Sequence, residues 1–181
     1  MTDASTSTLS SFVLIGLGTN LGDRYTNLIS ALKFIEDHKL IETMIASPVY
    51  ETPATLAPES PKEWDKPFLN MCVMGTTHLA PGKLLQQLKE CEDKMGRLSP
   101  ERWSPRVIDI DVLLYGDYQL ETPSLTIPHI QFTKRDFALV PAADIAPDTS
   151  IPGTPHSIKE WVAKLTENKA VFYADPPRWH S

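Results

Sequence analysis

Apolar positions along the chain follow strand-like runs and helix-like stripes, and their order predicts the architecture. Residues 12–17 are a short apolar run, read as a buried strand. Leu21, Tyr25, Leu28, Leu32 and Ile35 then recur at helical spacing, which predicts an amphipathic helix over residues 23–38. A second strand is expected over residues 41–50. A third covers 68–77, with Phe68, Asn70, Cys72 and Met74 sharing one face. Leu84, Leu85, Leu88, Cys91 and Met95 mark a second helix over residues 81–95, closed by Gly96 as a C-cap. Residues 107–115 are β-branched and apolar, interrupted only by Asp109 and Asp111, and end at a Gly116-Asp117 turn signal.

Side chains alternate across a strand, so Asp109 and Asp111 project from one face about 7 Å apart. Ile108, Ile110, Val112 and Leu114 are expected together on the opposite, buried face. Strand-helix-strand repeated twice, with no helix between the second and third strands, predicts an α+β fold. It is a ferredoxin-like βαββαβ sandwich: an antiparallel sheet with both helices on one face. Beyond it come extended pieces around residues 118–120 and 125–129, a Pro-rich wrap over 142–155 and a short helix over 157–165. No usable motif is found in residues 170–181. Residues 1–11 are polar and low in complexity and read as a loose tail before a single domain over 12–181. Residues 54–67 carry Pro58, Pro61 and Pro67 among mixed charges, an irregular loop long enough to act as a lid.

Composition narrows the function classes. At 181 residues the chain is long enough for a sizeable core, and 41% hydrophobic with 22% charged is ordinary for a globular protein. A net charge of −6 argues against a nucleic-acid surface as the main business. No run approaches the roughly 20 apolar residues needed to cross a bilayer. Cys72 and Cys91 have no metal-type spacing and read as core residues of a reducing compartment. The expectation is a cytoplasmic monomer.

Candidate chemistry gathers around the acidic strand. Side-by-side carboxylates repel and call for a cation between them, most simply a hard divalent ion such as magnesium. Arg102 and Arg106 bracket a Trp-Ser-Pro turn just upstream, and guanidinium forks match phosphate oxygens. The competing reading is an exposed sheet face with Asp109 and Asp111 paired to those arginines. Asn70 offers amide groups to a heterocycle's edge beside Phe68, or is satisfied by a neighbouring loop. The Gly16–Gly22 stretch lacks the ending of a phosphate loop and reads as a tight turn. His129 follows Pro128 at the end of an extended segment, where structural roles are the more common ones for a lone histidine.

Taken in order, several motifs resemble the 6-hydroxymethyl-7,8-dihydropterin pyrophosphokinase family over residues 12–152. They are Gly16-Leu-Gly-Thr-Asn-Leu-Gly22, Tyr50-Glu-Thr-Pro53, Phe68-Leu-Asn70, Glu92 to Arg97, Arg102-Trp-Ser-Pro-Arg-Val-Ile-Asp-Ile-Asp111, Pro128-His129 and Arg135-Asp-Phe137. The resemblance implies the same fold and transfer of pyrophosphate from ATP to the pterin hydroxymethyl group, releasing AMP. It implies two Mg²⁺ ions on Asp109 and Asp111, and catalytic roles for Arg97 and Arg106. It gives the nucleotide Glu92, Arg97, Trp103, Arg106, Thr126, His129 and Arg135. To the pterin it gives Phe68 and Phe137 as stacking faces, Asn70 at the ring edge, and Thr52 and Pro53 in the adjoining loop. Ser99, Ser104 and Ile130 depart from the family pattern. A different metal-dependent nucleotide enzyme, or a silent binding module on the same fold, are the rival readings.

Overall fold

The computed structural model describes residues 10–96 and 104–180. Its first half runs β1 (Ser11–Thr19), α1 (Arg24–Asp37), β2 (Glu42–Ala46), β3 (Val49–Thr52), β4 (Phe68–Thr77) and α2 (Pro81–Lys94). Its second half runs β5 (Asp109–Tyr115), β6 (Leu120–Glu121), β7 (Thr126–Ile127), α3 (Asp136–Ile145), α4 (Ile158–Val162) and β8 (Val171–Ala174). The main sheet has the order β5-β1-β4-β3-β8, with β2 also on β4, and every pairing in it is antiparallel. This is the expected ferredoxin-like sandwich.

Its helices pack on one face. Leu28, Ala31, Leu32 and Ile35 of α1 and Leu84, Leu88 and Cys91 of α2 meet Val13, Ile15 and Leu17 of β1 and Leu69, Met71 and Val73 of β4. Asp23 caps α1 by accepting the Thr26 amide at 3.1 Å. On the opposite face a second cluster joins Leu14, Cys72 and Leu114 to Phe132, Leu139, Ala142 and Ile158. The Cys72 thiol donates to the Ala138 carbonyl there, tying β4 to α3 at 3.4 Å. Both cysteines are free and buried, as read from the sequence, and burial pushes both thiols up, Cys91 to about 12.

Several expectations are corrected. The single strand over 41–50 is two, because Pro48 has no N–H for the ladder. Ser47 bridges the break, its amide donating to the Cys72 carbonyl at 2.9 Å and its hydroxyl accepting the Cys72 amide at 2.9 Å. Beside it β2 crosses so close that a Cβ on Gly75 would collide with the Glu42 carbonyl.

The Gly16–Gly22 stretch is mostly strand, since β1 continues to Thr19. Only its end turns, with Gly22 at φ +70. The alternation in the acidic strand breaks, because a register shift opposite Leu14–Ile15 leaves Leu113 unpaired. Ile108, Ile110 and Val112 face the helices as expected, but Leu114 faces α3 instead.

Helix α3 was not expected, because Pro141 lies inside it. Burial of its apolar side chains outweighs the missing hydrogen bond. The last residues are not featureless either: β8 adds a strand beside β3, and Trp179 enters the helix-side core.

Candidate active site

The second face of the sheet is covered by α3 and α4 over one part only. The rest floors a cavity of about 600 Å³ whose lining includes Gly16, Gly18, Asn70, Asp109 and Asp111. Gly16 and Gly18 leave that floor flat. A Cβ on Gly18 would stand 3.1 Å from the Asn70 carboxamide oxygen, and one on Gly16 3.3 Å from Leu113.

Asp109 and Asp111 stand opposite Gly18 and Gly16 in the register, and both line the cavity. Asp109 accepts a hydrogen bond from the Arg106 guanidinium at 2.8 Å, so the arginine half of the competing surface reading is present as an ion pair. Arg106 is itself held by Asn20. The Arg106 amide donates to the Asn20 side chain at 2.8 Å, and the Asn20 amide returns a bond to the Arg106 carbonyl at 3.1 Å. The Asn20 side chain also donates to the Lys66 carbonyl at 3.2 Å, the far end of the Pro-rich loop. The glycine-rich motif therefore works as a flat floor and a bracket for Arg106, not as a phosphate loop.

At the other end of the cavity, buried Asn70 donates to the Thr52 hydroxyl at 2.8 Å. Phe68 lines it from β4 and Phe137 from the first turn of α3, with Pro53 and Thr55 at the rim. The Arg135 guanidinium lies 5.4 Å from the Phe137 ring centre. Lys134, Arg135 and Lys169 add cationic groups to the lining.

His129 also faces the cavity. Its Nδ1 accepts the Gln131 amide at 3.2 Å, so the neutral ring carries its proton on Nε2. Burial lowers its pKa below the ordinary 6.5, against the raising effect of Asp111 and with that of Arg135. The folded chain therefore refuses a proton that the unfolded chain binds, and stability falls as pH drops below about 6.5. The urea midpoint should decline across that range in the native protein and decline less in His129→Gln. Equal slopes in the two proteins would contradict the assignment.

Some expected positions lie elsewhere. Arg97 and Trp103, with Ser99 and Arg102, lie outside the described residues. Thr126 pairs with Glu121 in the small β6–β7 sheet and does not line the cavity. Glu92 is buried on the far side of β5 and does not line it either. Conversely, Gly16 and Gly18 of the glycine-rich motif line the cavity without a role expected of them there, as do Gln131, Lys134 and the segment with Leu165, Thr166, Glu167 and Lys169. That segment is tied down by Asp136, whose carboxylate accepts both the Phe137 amide at 2.8 Å and the Lys169 amide at 2.5 Å. Only the glycines carried a sequence signal, since they alternate along a strand.

The family described as 7,8-dihydro-6-hydroxymethylpterin-pyrophosphokinase (HPPK) matches residues 14–147, which run from β1 through α3 and include both aspartates, Asn70, Phe68 and Phe137. The chain belongs to this family. A relative in Methylorubrum extorquens named 2-amino-4-hydroxy-6-hydroxymethyldihydropteridine pyrophosphokinase is 38% identical over 151 residues, covering 83% of this chain and 91% of the relative. The Aquifex aeolicus protein of the same name is 37% identical over 158 residues, covering 85% and 92%.

The chain spans only 35% of a folate synthesis bifunctional protein of Chlamydia caviae, to which it is 39% identical over 157 residues and 85% of its own length. Crystal structures of Plasmodium falciparum HPPK-DHPS share the fold. One superposes with a TM-score of 0.68 at 17% identity, over 88% of this chain and 46% of that one. Among the described residues no helix is long and apolar enough to cross a membrane.

Proposed function

We propose that the protein transfers the β,γ-pyrophosphoryl group of ATP to the hydroxymethyl oxygen of 6-hydroxymethyl-7,8-dihydropterin and releases AMP. The observation that carries this reading is a single cavity joining the Asp109–Asp111 pair to Asn70, Phe68 and Phe137. A flat polar heterocycle wants aromatic faces and an amide at its rim, and a triphosphate wants carboxylate-held cations and guanidiniums.

The donor set suits magnesium. Among the described residues no group of three or more His, Cys, Asp or Glu side chains is disposed to hold a metal. Magnesium is commonly held by only one or two carboxylates, with substrate phosphates and water filling the remaining positions. Asp109 and Asp111 would hold two such ions, which when bound neutralise charge on the attacking and leaving oxygens.

The remaining work falls to the chain. Asn70 and Thr52 hold the pterin rim, and Phe68 and Phe137 bound its faces. Arg106, Arg135 and the Nε2–H of His129 face the phosphates, and the family resemblance adds Arg97 and Trp103 as nucleotide contacts. Positioning and electrostatic stabilisation then supply most of the acceleration. The new bond forms between the pterin oxygen, whose proton is released to water, and the β-phosphorus, and the bond from that phosphorus to the α-phosphate oxygen breaks to leave AMP.

Asn70→Ala should weaken pterin binding roughly 30-fold, the equivalent of about 2 kcal/mol for a lost buried hydrogen-bond partner, and leave ATP affinity within about two-fold. Calorimetric titration of each substrate reads both, and equal losses would contradict the role. The function itself is tested by chromatography of ATP, Mg²⁺ and protein with and without the pterin. Pterin-dependent AMP supports it, whereas ADP or free pyrophosphate points to another nucleotide enzyme.

A further inference from the structure

Among the described residues, the strand bearing Asp109 and Asp111 is the edge of the sheet and pairs with β1 alone. Edge strands are the least constrained part of a sheet, because one row of their backbone groups has no ladder partner. Here the residues opposite the aspartates on β1 are Gly18 and Gly16, which offer no side chain to brace them. The spacing of the two carboxylates therefore depends on how firmly the backbone between them is held. That backbone is Ile110, whose side chain is buried in the helix-side core.

Both outward groups of Ile110 are taken by α2. The Ile110 amide donates to the Glu92 carboxylate at 2.7 Å, and the Ile110 carbonyl accepts from the Lys89 ammonium at 3.1 Å. Lys89 donates to the same Glu92 oxygen at 2.6 Å, closing a three-membered set. The Glu92 side chain is fully buried. Burial raises its pKa, against the lowering by Lys89 and by the Ile110 amide. Burying a carboxylate is costly unless it is paired and fully hydrogen-bonded. A neutral amide would satisfy one edge N–H at less desolvation cost, but it would not bring a cation onto the carbonyl of the same residue.

We propose that Glu92 and Lys89 are positioning residues for the proposed metal-binding pair, acting as a clamp on the outer edge of β5 that fixes the spacing of Asp109 and Asp111. The clamp rests on the reading of Asp109 and Asp111 as magnesium ligands. It also gives Glu92 a place outside the nucleotide contacts that the family resemblance implied.

The test compares native protein with Glu92→Ala, Glu92→Gln and Asp109→Asn. Hydrogen exchange at the Ile110 amide reads the clamp without any metal. Mn²⁺ affinity, measured by electron paramagnetic resonance with α,β-methylene-ATP present, reads the pair. Binding of the same analogue in the absence of metal reads direct nucleotide contact. Glu92→Ala should expose the Ile110 amide to exchange and weaken Mn²⁺ by about 10–100-fold, the usual cost of losing a partner that orients metal ligands. Metal-free nucleotide affinity should stay within about two-fold, and Glu92→Gln, which keeps the acceptor oxygen but not the charge that holds Lys89, should restore amide protection to within about three-fold while recovering Mn²⁺ affinity only in part.

If Glu92→Ala does not fold, Lys89→Met takes the same measurements and should weaken Mn²⁺ in the same direction. Native Mn²⁺ affinity in Glu92→Ala, with loss in Asp109→Asn, overturns the clamp and leaves the metal reading standing. A fall in metal-free nucleotide affinity as large as the metal effect also overturns it. Unchanged Mn²⁺ affinity in Asp109→Asn overturns both.

Discussion

Replacing Asp109 with alanine should lower turnover roughly a thousand-fold, the equivalent of losing about 4 kcal/mol of transition-state stabilisation where charge develops on phosphoryl oxygens. Asp111→Ala should do the same. The fold should survive, because both side chains point into a cavity rather than into either core cluster. Asp109 loses one ion pair, that with Arg106, and a partly exposed pair contributes about 1 kcal/mol or less to stability. Freed of its partner, Arg106 still lines the cavity and still has its backbone bracketed by Asn20. Steady-state AMP release, with thermal melting as the control, decides the matter. Near-native turnover in either variant would remove the carboxylates from the chemistry.

A second large effect is expected far from the cavity. Trp179→Ala should cost about 3 kcal/mol of stability and lower Tm by roughly 10 °C. Trp179 is only 6% exposed, within the same cluster as Leu28, Leu84 and Leu88, and it empties a large volume on truncation. Its Nε1 has no hydrogen-bond partner among the described residues, so Trp179→Phe breaks no hydrogen bond there. That variant should cost less than about 1.5 kcal/mol. Next to it His180 sits 2.9 Å from Glu36 of α1, an exposed contact that adds little. Differential scanning calorimetry of both variants tests the point. An unchanged Tm in Trp179→Ala would mean that the tail contributes nothing to the core.

The acidic pair and Trp179 differ in how much the local sequence reveals of them. Asp109 and Asp111 were legible as neighbours on one face because alternation along a strand is a local property, and both line the cavity. The same alternation misplaced Leu114, since a bulge at Leu113 depends on the register with β1, which no local pattern records. Helix α3 was hidden by Pro141, whose unfavourable propensity is overridden by tertiary burial of Ala138, Leu139 and Ala142.

Trp179 and β8 had no periodicity to detect, as each is only a few residues long and finds its place through partners distant in the chain. Glu92 was flagged by motif but given the wrong neighbourhood. Its spacing from Leu88 put it beside the apolar stripe, yet only the packing of α2 along β5 brings its carboxylate to the Ile110 amide. Phe68, Asn70 and Phe137 were grouped by motif and line one cavity. The wall from Leu165 to Lys169 was not foreseen, because what places it is a pair of backbone amides on Asp136.

One cavity is proposed to join a triphosphate to a pterin and to move two phosphoryl groups together. Phosphorus NMR of a mixture of the protein, ATP, Mg²⁺ and 6-hydroxymethyl-7,8-dihydropterin follows every phosphorus atom at once. The ATP signals should give way to equal amounts of AMP and a pterin diphosphate, with both diphosphate phosphorus atoms derived from ATP. Appearance of ADP with a pterin monophosphate, or persistence of ATP, would contradict it.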